Sequence, residues 1–166
     1  KTRSMYRPIG INRNCQLAVL QIRPYVPQSH RGVQWMSFGS NPFNALVPFF
    51  TNVREAPEYL ANTTARVSTD SFYWANRLIA ALADARFRDN ENAIDRYREK
   101  VGAFGHKLIH ETDEALACCP EENVQAVLAA ANLRMADYLR EQTDALLSKV
   151  LYTTSLAMKN HFAMSD

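Results

Sequence analysis

This sequence of 166 residues has only 5 glycines and 3 cysteines, and its net charge is only +2. Lys and Arg number 19 against 17 Asp and Glu, and the basic residues are scattered, so nucleic acid is a poor candidate for a partner. No run reaches the roughly 20 apolar residues of a membrane span, so a membrane partner is not expected either. The 47% hydrophobic and 22% charged residues are instead typical of one globular domain.

Cysteine usage and the first residues bear on the cellular compartment. The three cysteines, Cys15, Cys118 and Cys119, form a poor disulfide framework because their number is odd and two of them are adjacent. Reduced thiols are therefore expected, which favours the cytoplasm. The sequence begins at Lys1 without an initiator Met and without the apolar core of a signal peptide, so we expect a trimmed N-terminus.

The residue pattern changes near position 67, which divides the chain into a segment 1–67 and a helical segment 68–166. Compact apolar runs in the first segment predict strands over 17–23 and 33–38. The loop between them contains two prolines and a glycine, so an antiparallel pair with a wide connection is expected. Residues 45–50 fit either a third strand or a short helical turn.

Apolar residues at helical spacing predict three long helices, over about 70–86, 91–118 and 120–150. Residues 68–70 supply candidate N-caps for the first, and Pro120 is expected to start the third. Gly102 and Gly105 lie inside the second helix, where each costs roughly 1 kcal/mol relative to Ala. A bend or a close helix contact is therefore expected at these glycines.

A series of short blocks makes the sequence similar to a known family. In order, the blocks are 6–14, 19–23, 32–35, 38–39, 41–44, 48–53, 72–77 and 106–113. Their order and spacing resemble the C-terminal part of the peptidase family C69 dipeptidases. The long first group of blocks, up to residue 53, is the specific part of this resemblance, which covers most of the chain.

The resemblance implies an N-terminal-nucleophile hydrolase, in which an αββα sandwich stacks two antiparallel sheets between helical layers. The fold class would be α+β, with late strands of the sandwich followed by about three long helices. In this family the first residue after processing is a cysteine. Its thiolate attacks the peptide carbonyl, and its own α-amine, with a pKa of about 8, serves as the base. No cofactor is involved.

The resemblance therefore implies that this chain is one piece of a larger dipeptidase, with the nucleophile upstream of Lys1. The expected partners are the remainder of the parent chain and a dipeptide substrate, and a homo-oligomer is left open. The piece alone is expected to be inactive, so we expect no catalytic residue within it. Cleavage after Asn14 would make Cys15 an N-terminal nucleophile, but the resemblance aligns Cys15 with an ordinary position before a strand.

Two residues are the candidates for substrate binding. The first is Arg13, one of three arginines near the predicted strands together with Arg7 and Arg23. The guanidinium group of each suits either a substrate carboxylate or a structural Asp from the missing part, and Arg13 is the functional candidate among them. The second candidate is Asn44. With Asn41, its more ordinary role is hydrogen bonding within a turn.

His106 and His110 are four residues apart, which places two imidazoles on one helix face. No third ligand with clear spacing accompanies them, so a solvated or interface face is expected and no metal is predicted.

A rival interpretation is a stand-alone helical interaction module without catalysis. The two interpretations differ in the edge of the sheet. A sandwich separated from its other half should leave an unpaired strand edge and an apolar patch, whereas an evolved module should have both covered.

Overall fold

The structure, a computed structural model, describes residues 14–39 and 41–159. The strands are β1 (Gln16–Ile22), β2 (Gly32–Phe38) and β3 (Val47–Phe50). The helices are α1 (Glu58–Ala61), α2 (Phe72–Asp84), α3 (Phe87–Leu116) and α4 (Val124–Leu156). The α+β class and the three long helices are confirmed. A single sheet lies within the described residues, so the two-sheet sandwich stays an expectation.

The three strands form one antiparallel sheet in the order β1-β2-β3. Val19 lies opposite Trp35, and Trp35 lies opposite Pro48, so these three side chains share one face. The predicted antiparallel pair with a wide connection is confirmed, and residues 45–50 contribute a strand rather than a helical turn.

The two faces of the sheet have different surroundings. The helix-covered face includes Val33, Trp35, Ser37, Pro48 and Phe50. Helix α3 lies against it, because the Trp35 ring is 4.8 Å from the His106 ring and Gly105 approaches Pro48. The opposite face includes Leu20, Ile22, Gln34, Met36, Phe38 and Phe49. Near β3 the opposite face borders the segment after the sheet, which contains Pro57 and Leu60.

Within the residues that the structure describes, the outer edge of β3 meets a side chain instead of a fourth strand. Thr51 N donates to Gly32 O at 3.2 Å, so the backbone groups of the preceding Phe50 point away from β2. There Phe50 N donates to Asn132 Oδ1 at 2.8 Å, and Asn132 Nδ2 donates to Phe50 O at 3.0 Å. The amide of Asn132, on α4, therefore satisfies both outward backbone groups of Phe50.

One hydrophobic core joins the sheet to the helices. Its most deeply buried members include Val33, Val47, Phe72, Ile79, Val101, Leu128, Met135 and Leu139. These residues come from both sides of position 67, although the division of the chain at that position stays a prediction. None of the helices in the described ranges is long and apolar enough to cross a membrane.

The glycines of α3 mark a close approach to the sheet. A Cβ at Gly105 would lie 2.7 Å from both Cγ and Cδ of Pro48, whereas a Cβ at Gly102 would meet nothing within 4 Å. The expected close contact is therefore confirmed at Gly105, where Pro48 of β3 is nearest and Met135 Sδ of α4 lies 3.8 Å from the same Cβ position.

The three long helices begin at other residues than predicted: α2 at Phe72 instead of about 70, α3 at Phe87 instead of about 91, and α4 at Val124 instead of 120. Pro120 precedes the 3-10 turn Glu121–Asn123, and α4 begins only after that turn, at Val124. The N-cap of α2 is Ser71 rather than one of residues 68–70. The Ser68 hydroxyl instead accepts from Asp70 N at 3.2 Å, so this segment forms its own local turn before the helix.

Candidate functional site

Strand β1 carries the most exposed apolar residues of the sheet. Leu20 and Ile22 on the opposite face are each 75% exposed, and Val19 on the helix-covered face is 48% exposed. Among the described residues β1 pairs only with β2, so its outer backbone edge faces no strand there. A sheet edge that is apolar on both sides is a surface that ordinarily lies against further protein.

A groove opens on the opposite face where β2 and β3 meet the segment that follows the sheet. We call it the β3 groove, and it is lined by Met36, Phe38, Phe49, Arg54, Glu55 and Leu60 together with neighbouring residues. Its volume is about 320 Å³, at the small end for a ligand site. Phe49 and Leu60 are buried in its floor, while Arg54 and Glu55 are exposed at its rim.

A buried ionic cluster ties the β1–β2 connection to α3. The guanidinium of Arg23, 1% exposed, donates from Nη1 to Asp113 Oδ2 at 2.5 Å and from Nη2 to His30 O at 2.6 Å. His30 Nε2 lies 3.8 Å from Asp113 Oδ1, and His30 Nδ1 is 3.2 Å from the Ser29 hydroxyl. Arg23 also lies over the Phe50 ring, 5.5 Å from its centroid. All these contacts are internal, which makes the cluster a structural clamp.

The environment of His30 favours its neutral form. Burial lowers the pKa of His30, and the nearby Arg23 lowers it further, although Asp113 acts in the opposite direction. The ring is therefore neutral at neutral pH, and acidification introduces a charge into the clamp.

The structure assigns Arg23 a partner that the sequence did not suggest. Arg23 was expected to pair either with a substrate carboxylate or with an Asp of the missing part. Its partner is Asp113, 90 residues later in the same chain. The other two arginines, Arg7 and Arg13, lie outside the described residues, so Arg13 as a substrate-binding residue stays a prediction.

Asn44 is 3% exposed and uses both ends of its amide on the backbone. Its Nδ2 donates to Phe38 O, and its Oδ1 accepts from Ala45 N at 2.7 Å. These bonds fit the turn role, and its substrate-binding role stays a prediction. The side chain of Asn41 lies outside the described residues.

The two histidines of α3 have different contacts. His106 contacts Trp35 on the sheet, whereas His110, 74% exposed, pairs with Glu114 at 3.4 Å. No group of three metal-binding side chains occurs in the part of the chain that the structure describes. All three cysteines are free, and Cys15 and Cys118 are exposed.

Sequence reasoning missed Asn132. Asn132 lies within an apolar helical stripe, and a buried Asn at such a position is a signal that it serves a backbone edge.

Comparison with known proteins places the chain in a family. The sequence model of peptidase family C69 matches residues 1–100. The chain belongs to peptidase family C69. The resemblance seen in the sequence blocks is thereby confirmed.

Several curated relatives of this C69 chain are dipeptidases. The dipeptidase of Bifidobacterium longum (strain NCC 2705) is 50% identical over 204 aligned positions, which cover 100% of this chain and 38% of that protein. Probable dipeptidase A of Streptococcus pyogenes serotype M3 is 47% identical, covering 99% of this chain and 35% of that protein. Dipeptidase A of Lactobacillus helveticus is 40% identical, covering 88% and 31%. The chain thus spans between 31% and 38% of the length of these relatives.

Proposed function

We propose that this chain is the C-terminal part of a cysteine-type dipeptidase whose nucleophile lies in the rest of the polypeptide. Membership of family C69 and relatives named dipeptidases support the reaction class. The chain aligns with only 38% and 35% of the length of two of those relatives, which supports its being one part of a longer enzyme.

The single observation that carries this proposal is the exposed strand β1. In an αββα sandwich each sheet has helices on one face and the second sheet on the other. Here α3 lies on one face. On the other face Phe72 of α2 contacts Phe38 at the end of β2, with the ring centroids 5.7 Å apart, but Leu20 and Ile22 of β1 are 75% exposed. Covering these two side chains would contribute roughly 1–2 kcal/mol each, which favours a second protein layer over open water. A stand-alone interaction module would instead be expected to cover this strand.

The proposed chemistry assigns the attack to a cysteine at the mature N-terminus of the whole enzyme. Its thiolate adds to the peptide carbonyl, its α-amine takes and returns the proton, and water hydrolyses the resulting thioester. Cys15 does not fit this role. The family resemblance aligns it with an ordinary position just before a strand, and its carbonyl accepts from Gly39 N at 3.0 Å at the start of that strand. A location in the cytoplasm stays a prediction.

The test uses the full-length polypeptide that contains this chain. We expect it to release free amino acids from dipeptides, and replacement of its N-terminal cysteine by Ser to lower the rate by about a thousandfold or more. Cys15→Ser is the matched control and should keep full activity. Loss of activity on Cys15→Ser, with the N-terminal variant unaffected, would contradict the proposed mechanism.

A further inference from the structure

Another groove opens on the helix-covered face of the sheet, between α3 and the paired strands β1 and β2. Its volume is about 420 Å³, within the range of small-molecule sites. We call it the α3 groove, and its lining includes Leu17, Trp35, Ser37, Arg98, Gly102 and His106. Leu17 lies directly opposite Ser37 in the sheet, so both side chains are on the helix-covered face. The α3 groove is therefore separate from the face on which a second sheet of the sandwich is expected.

Two residues of the α3 groove have no packing or hydrogen-bonding use within the described part of the chain. Ser37 is 3% exposed, yet its hydroxyl has no hydrogen-bond partner among the described residues, although buried polar groups ordinarily have one. Gly102 weakens α3 relative to Ala, and no described atom lies within 4 Å of the position that its Cβ would take. A buried hydroxyl without a partner and a glycine without a neighbour both indicate the close approach of a further molecule.

One end of the α3 groove is positively charged because Arg98 lies there. Arg98, Gly102 and His106 are spaced four residues apart, so they follow one stripe of α3 over roughly 12 Å. The guanidinium of Arg98 has a single contact, from Nη1 to Asp95 Oδ1 at 3.4 Å, and both side chains are about half exposed. Such an exposed pair contributes little, so a ligand carboxylate can replace it and accept both N–H donors of the guanidinium fork.

The rest of the lining is mainly aromatic and aliphatic. The rings of Trp35 and His106 are tilted by 46° to each other, and Leu17 is half-buried beside them. Trp35 Nε1 already donates to Gln21 Oε1 at 2.8 Å, so Trp35 offers a ligand only its ring surface. An apolar body in this part of the groove would be removed from water, and an aromatic ring would pack against the tilted rings.

We propose that the α3 groove binds a small monocarboxylate with an apolar, preferably aromatic, body. Arg98 binds the carboxylate, and the Ser37 hydroxyl donates a hydrogen bond to the ligand. The apolar body lies over Gly102, where the absence of a side chain lets it approach the backbone of α3. The site binds without making or breaking a covalent bond, so it is distinct from dipeptide hydrolysis.

The test titrates 4-phenylbutyrate into the full-length polypeptide that contains this chain, with binding followed by saturation-transfer NMR of the ligand. We expect a dissociation constant of about 1 mM or below, and about 5-fold weaker binding of the uncharged 4-phenylbutanol. Arg98→Gln should weaken binding of the acid about 5- to 10-fold while changing that of the alcohol by less than about 2-fold. Ser37→Ala should weaken binding of the acid about 3- to 5-fold.

Gly102→Leu places a side chain in the groove and should abolish measurable binding. Ala103→Leu is the matched control, because Ala103 is exposed on the same helix and does not line the groove, and it should leave the dissociation constant unchanged. If Gly102→Leu fails to fold, as judged by circular dichroism, Arg98→Gln and Ser37→Ala decide the matter. The proposal is overturned if the unchanged polypeptide binds no 4-phenylbutyrate, if the acid and the alcohol bind equally, or if the groove variants bind like the unchanged polypeptide. None of these results bears on the proposed dipeptidase activity, which is assayed separately.

Discussion

Replacing Gly105 by Ala should destabilise the protein, whereas the same replacement at Gly102 should stabilise it. Both glycines lie within α3, three residues apart, so the chemical change and the secondary structure are matched. Only their surroundings differ. A new Cβ at Gly105 would lie 2.7 Å from two ring carbons of Pro48, but one at Gly102 has 4 Å of clear space.

The magnitudes follow from two opposing terms. Ala is favoured over Gly inside a helix by about 1 kcal/mol, and Gly102→Ala gains this alone. Gly105→Ala gains the same amount but forces a contact that costs about 2–3 kcal/mol, because the Pro48 ring is rigid and its strand is held in the sheet. We expect a net loss of about 1–2 kcal/mol at Gly105, and hence a difference of about 2–3 kcal/mol between the variants.

Urea unfolding followed by far-ultraviolet circular dichroism measures this difference. With a slope of about 2 kcal/mol per molar urea, the two midpoints should differ by about 1–1.5 M, with the unchanged chain between them. If both variants were stabilised equally, α3 could not approach β3 as closely as described, and the reasoning would be refuted.

Two further predictions concern the ionic clamp. Asp113→Ala should lower the free energy of unfolding by about 3 kcal/mol, because it leaves the buried Arg23 without a counter-charge. The control Glu114→Ala, on the same helix but 68% exposed, should cost less than about 0.5 kcal/mol, and equal losses in urea unfolding would count against the clamp. Because burial lowers the pKa of His30 below 6.5, the unfolded chain binds the proton more readily, and stability should fall as the pH drops below that value. The urea midpoint should therefore decrease from pH 7.5 to pH 5.5, and His30→Gln should flatten this decrease; an unchanged slope would show that other groups cause it.

The regular elements were predictable because their signals are local. The apolar runs before Pro24 and before Gly39 mark β1 and β2, and the spacing of apolar residues marks the three long helices. The start of α4 was misplaced because Pro120 is compatible with the first turn of either an α-helix or a 3-10 turn, and only packing decides between them.

The contacts that organise the sheet were not predictable in the same way. Arg23 and Asp113 are 90 residues apart, and Phe50 and Asn132 are 82 residues apart. Each of these residues has the chemical groups for its contact. The sequence contains many other residues of the same types, however, and does not indicate which two will pair. The role of Gly105 could be predicted in part, because a glycine inside a helix indicates a close contact but does not identify the contacting residue.

The most direct test of the central claim is the dipeptidase activity of the purified 166-residue chain, assayed beside the full-length polypeptide at equal concentration. Release of free amino acids from a mixture of dipeptides can be followed by chromatography. The account predicts hydrolysis by the full-length polypeptide and none above background by the chain alone. Hydrolysis by the chain alone would contradict it, because the nucleophile would then lie among these residues.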